Sequence, residues 1–183
     1  MKKIIIFLSL FLAFSVNAQN VEEPDFVGEC IVVRGDNSTV LLEKSTSQLK
    51  TSAGAGVIIA GIGSIKSKIV IDGCCASNKF KSNEDFKIIV KAVDNNTDPM
   101  AIVKVFRFEA TKKNRKAEIA SVNTFGTTKN NNLIYLPFTA KKFGTSSYII
   151  TLKEKPVGEF GITVSNPNNL DEKSTVVSTF SIQ

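Results

Sequence analysis

The chain of 183 residues contains no histidine and no tryptophan, and only two tyrosines and three cysteines. Without histidine, a Ser-His-Asp triad is impossible and zinc chemistry loses its usual nitrogen ligand. Without tryptophan, and with only Tyr135 and Tyr148 as hydroxylated aromatics, the stacking platforms of a sugar-binding module are thinly supplied. The glycines do not make a phosphate loop. Gly54, Gly56, Gly61 and Gly63 lack the G-x-G-x-x-G spacing, and no Gly-Lys-Ser/Thr follows them, so their role is turns and close strand approach. No S-x-x-K run is accompanied by the companion motifs of the serine acylases. Asp72, Glu84, Asp85, Asp94 and Asp98 fall in turn-like contexts rather than in a glycosidase pair. The run Asp94–Pro99 lacks the glycine and terminal glutamate of a calcium loop. No cofactor or metal is expected, and a hydrolase is the most distant reading.

What is present begins with an export signal. Lys2 and Lys3 precede an apolar run from Ile4 to Val16, followed by the small-residue site Val16-Asn17-Ala18. The pattern predicts a signal peptide over 1–18, too short for a transmembrane anchor. No cysteine follows the site to take a lipid. The expectation is a single domain over 19–183 in the periplasm, outer envelope or extracellular medium. In such a compartment Cys30 could pair with Cys74 or Cys75, whereas a bridge between neighbours Cys74 and Cys75 is disfavoured sterically. All three could equally be small buried hydrophobes. The net charge of +6 comes from lysines spread along the chain, which predicts a solvated basic surface and no nucleic-acid partner.

Period-two alternation dominates the rest. Strands are expected over Phe26–Arg34, Val40–Leu42, two segments flanking Gly61–Ser64, Phe86–Val93, Ala101–Ala110 and Val176–Ile182. Glu43–Ser52 is a polar connection. Ala117–Val122 is strand or helical turn, and Pro137 places Leu133–Phe138 at an edge or bulge. The clearest stretch is Ser146–Ser165. Tyr148, Ile150 and Leu152 share one face before Pro156, and Phe160, Ile162 and Val164 share one after it. That pattern predicts an antiparallel hairpin. About nine to eleven short strands without a convincing helix imply an all-β fold: a single antiparallel β-sandwich, or alternatively an open β-barrel.

Pro156-Val157-Gly158-Glu159-Phe160 resembles the Pro-Gly-Glu-Tyr/Phe corner of uncharacterised secreted β-rich proteins of the Bacteroides group. The stretches Leu136–Gly144 and Ser146-Ser147-Tyr148 resemble the same set, which carries no established activity to transfer. The corner is also similar to the tyrosine corner of immunoglobulin-like sandwiches, but Phe160 lacks the required hydroxyl.

The leading functional expectation is a secreted or envelope-associated, non-catalytic module that binds another protein through loops or an edge strand. The alternative is a carbohydrate or anionic lipid-headgroup module using the basic run Lys112, Lys113, Arg115 and Lys116. Phe125 and Phe143, beside glycines, are either exposed contacts or plugs that fasten loops to the domain.

Overall fold

The computed structural model describes residues 21–54, 57, 62–166 and 174–183. The expected signal peptide and most of the strand expected before Gly61 lie outside the described residues. Thirteen strands are present among the described ones: β1 Cys30–Arg34, β2 Thr39–Leu41, β3 Glu43–Ala53, β4 Ser64–Asp72, β5 Lys79–Phe80, β6 Phe86–Lys91, β7 Val103–Ala110, β8 Asn114–Asn123, β9 Thr128–Asn130, β10 Phe138–Phe143, β11 Ser147–Leu152, β12 Gly158–Val164 and β13 Ser174–Ile182. A single helical turn, Pro99–Ile102, takes the start of the strand expected from Ala101. Asp98 caps it by accepting from the Met100 amide, and Pro99 opens it without wasting a donor.

The fold is all-β, as the alternation predicts, and both expected architectures have a counterpart in it. β12, β7, β8, β4, β3 and β13 pair in that order, and β13 returns to β12, closing a six-stranded antiparallel barrel. Short β5 adds in parallel to β13 and β9 to β8. A second sheet, ordered β10-β11-β6-β1-β2, packs against one wall of the barrel. Its inward residues Val32, Ile88, Tyr148 and Ile150 meet Phe160, Ile162, Phe180 and Val105 from that wall. Alternate residues of the same barrel strands face the lumen. Phe106, Phe108, Ile71, Ala117 and Val177 form a separate inner core. A barrel wall shared by two cores needs apolar residues on both faces, and β7 (VKVFRFEA) and β13 provide them. Gly161 faces lumen side chains that leave no room for a larger residue: a Cβ there would meet the Phe108 ring at 2.6 Å and Val177 at 2.9 Å.

Three expectations are corrected. The stretch Ser146–Ser165 is not a hairpin. β11 pairs with β6 and β10, whereas β12 pairs with β7 and β13. Tyr148 and Phe160 do point into one core, but from opposite layers, and alternation cannot distinguish a neighbour in the sheet from a neighbour across it. Glu43–Ser52 is not a connection but most of β3. It is a strand because it pairs along both edges, with β13 from Glu43 to Gln48 and with β4 from Gln48 to Ala53, and its inward Glu43 meets the polar partners Arg115 and Thr179. Finally, Cys30 bridges to neither Cys74 nor Cys75. It is buried between the layers, where its thiol lies against the Gly28 carbonyl and burial pushes its pKa up to about 12. Cys74 and Cys75, exposed beyond the end of β4, are disulfide-bonded to each other.

Candidate functional site

The two ends of the barrel differ in chemistry. At one end, where β7 turns into β8, Arg115 points inward from β8 and is 2% exposed. Its Nη2 pairs with Glu43 Oε1 at 2.8 Å and its Nη1 donates to Thr179 Oγ1 at 2.9 Å. The Thr179 hydroxyl donates on to Glu43 Oε1 at 3.0 Å, and the Ser77 amide and hydroxyl donate to Glu43 Oε2. Burial alone would raise the Glu43 pKa. The donors from Ser77, Arg115 and Thr179 outweigh it and hold the carboxyl at about 2. This end is a closed polar plug.

At the other end the wall parts. β7 and β8 hydrogen-bond only at Glu109–Lys116 and Ala110–Arg115, and beyond these pairs they diverge. The segment 131–137 enters the gap and bonds to both sides. The Arg107 amide donates to the Ile134 carbonyl and the Leu136 amide to the Val105 carbonyl. The amides of Asn131 and Asn132 donate to the Ile119 carbonyl. Pro137, which has no amide to offer, ends the pairing as expected and accepts from the Lys153 amide. Between this wedge and the diverging strands lies an open cavity of about 870 Å³. Val103, Val105, Ile119, Leu133, Leu136 and Phe138 make it apolar, and Lys104, Asn131 and Tyr135 supply the polar groups. The Tyr135 hydroxyl donates to Asn131 Oδ1 at 2.6 Å. Among the described residues, no carboxylate pairs with Lys104.

A second, polar depression of about 440 Å³ lies on the outer face of β4 and β8. Its groups already serve each other: Lys66 Nζ pairs with Glu118 at 2.9 Å, and the Asn132 amide donates to Glu118 and Ser121. A ligand there would have to displace formed bonds.

The residues singled out in the sequence scatter over this frame. Lys112 and Lys113 are exposed on the β7–β8 turn, Lys116 is half-buried on the outer side of β8, and Arg115 is inside the barrel. The basic run is therefore not one surface, because strand alternation sends neighbours to opposite faces. Phe143 is half-buried at the end of β10. Phe125, by contrast, is 91% exposed between β8 and β9. The cavity was not anticipated. The available hint was Leu133–Phe138, an apolar segment that proline and the preceding asparagines keep out of a regular ladder. Among the described residues, no helix is long and apolar enough to cross a membrane, and no three metal-ligating side chains gather. No protein-family model, no curated protein and no solved structure matches the chain.

Proposed function

We propose that the protein is an exported, non-catalytic binding protein whose ligand is an acyl chain with an acid head group, held at the open end of the barrel. The supporting observation is the cavity between β7 and β8: apolar walls with one unpaired cation, Lys104, on its lining. Its volume lies within the roughly 300–1,000 Å³ typical of small-molecule sites, whose walls are apolar with a few placed polar groups. An alkyl chain suits the walls, since each buried methylene contributes about 0.8 kcal/mol. A carboxylate suits Lys104 and can accept from the amide of Asn131 side chain at the rim. Among the described residues, no aspartate, glutamate, serine or cysteine lines the cavity, so its chemistry favours holding over hydrolysing. This reading is preferred to the headgroup site at Lys112, Lys113, Arg115 and Lys116, whose side chains do not converge.

The test is displacement of a fluorescent polyunsaturated fatty acid from the purified protein. Palmitate should compete, and cetyl alcohol should compete more weakly. Lys104→Glu should weaken palmitate at least tenfold while leaving the alcohol unchanged, and Ala120→Trp, which fills the cavity from β8, should weaken both. If folded wild-type protein binds neither compound, or if Lys104→Glu leaves palmitate unaffected, the reading fails.

A further inference from the structure

β3, β4 and β8 run on past the barrel as an arm, where the start of β4 lies beside the β8–β9 turn. Gly63 and Thr124 are fastened together there: the Thr124 amide donates to the Gly63 carbonyl, and the Gly63 amide donates to the Thr124 hydroxyl. On the face that continues the lumen, Ile65 lies opposite Val122, and Leu49, Ile65 and Val122 are all substantially exposed. At the ends, Ile62 is 67% and Phe125 91% exposed. In sequence, the connection 54–63 consists of glycine, alanine, valine and isoleucine alone. A protein surface seldom gathers exposed side chains such as Leu49, Ile62, Ile65, Val122 and Phe125 without a use for them.

Charge narrows that use. Between Glu43 and Asp72 there is no acidic residue, and along β8 and β9 Glu118 is the sole one. Glu118 already holds Lys66. Lys50 and Lys129, exposed on the arm's strands, form no ion pair among the described residues, and half-buried Lys68, opposite Glu118, shares that one carboxylate with Lys66. An apolar, aromatic-tipped projection whose lysines outnumber its one carboxylate complements an interface that is oily within and negative at its surface. We propose that the arm is a membrane-docking element, whose tip inserts into an anionic phospholipid bilayer while Lys50, Lys68 and Lys129 meet its headgroups. A protein partner would have to offer an apolar pocket ringed by acids, and nothing in the fold calls for that shape.

The chain has no tryptophan, so Phe125→Trp places a single reporter at the tip. On phosphatidylglycerol vesicles its emission should shift to the blue and be quenched by lipids brominated along their chains. Vesicle partition should fall at least tenfold with Phe125→Ser. A comparable fall is expected with Lys50, Lys68 and Lys129 all changed to glutamate, on phosphatidylcholine in place of phosphatidylglycerol, or as salt rises from roughly 50 to 500 mM. An unshifted emission, equal partition on both lipids, or a blue shift that needs only more protein and no vesicles would overturn the proposal; the last would mark a contact between copies. Lys104→Glu should leave partition unchanged and Phe125→Ser should leave palmitate displacement unchanged, so the arm and the cavity stand or fall separately.

Discussion

The same six strands build both ends of the barrel, yet one end is shut and the other open. At the shut end β7 and β8 are hydrogen-bonded, and every major polar group of the plug, Arg115, Glu43 and Thr179, has a partner from another strand. At the open end the same two strands have separated, and a non-ladder segment lies between them. A barrel lumen is filled where its strands pair, because their alternate side chains then converge. Where pairing stops, the wall must be completed by something less regular, and space is left over. The capacity to bind follows from that interruption of the ladder.

The difference predicts which end carries stability. Arg115→Ala should have the largest effect, a loss of about 3 kcal/mol or more, because it leaves the Glu43 carboxylate without its buried partner. Urea unfolding measures it, and Lys104→Glu at the open end serves as the contrast, expected within about 0.5 kcal/mol of wild type. Equal losses at the two ends would erase the distinction. Next in size is Gly161→Ala, which pushes a methyl group against Phe108 and Val177 inside the lumen. Overpacking of this kind costs about 1–3 kcal/mol, readable as a lowered denaturant midpoint with unchanged slope.

The third effect is a dependence on acid. Glu43 is held at about 2 in the folded protein against an ordinary 4.5. Glu23, pulled down by Lys91 and then by the Thr145, Ser147 and Ser146 donors against a cost of burial, is held at about 2 as well. A carboxyl whose folded pKa is depressed stabilises the fold above its unfolded pKa and ceases to do so as pH falls toward the folded one. Stability should therefore be level in these two groups above about pH 4.5 and decline between 4.5 and 2. Glu43→Gln should flatten part of that decline; a variant as acid-sensitive as wild type would show that the plug does not titrate as described.

Much of this architecture was legible in the residues themselves. Phe86–Lys91 and Ser174–Ile182 are strands within a residue or two of their alternation, the turn signal Asp94–Pro99 falls on bends that lead into the cap and first residue of the short helix, and Phe160 is buried. Gly158 sits at φ +155° with the Arg107 guanidinium about 3.1 Å from where a Cβ would be, so glycine at that corner has a local reason. Of the site, Phe125 was identified as one of two loop aromatics, without a sign that it stood at a tip beside Ile62. The cavity was invisible, since its walls come from β7, β8 and the segment 131–138, and their separation is not encoded in any one of them.

By itself the sequence determined an all-β chain, because period-two alternation is a local property that each strand carries independently of its partners. It also determined the unusual chemistry of residues 54–63, which is composition alone. Only the tertiary structure decided which strands became neighbours. It sent β11 and β12 to different layers, turned Arg115 inward to Glu43 from β3, kept Cys30 in the core between the layers, and opened the wall between β7 and β8. These outcomes depend on contacts between residues distant in the chain, where packing, charge pairing and hydrogen bonding are settled together and no local pattern can choose among them.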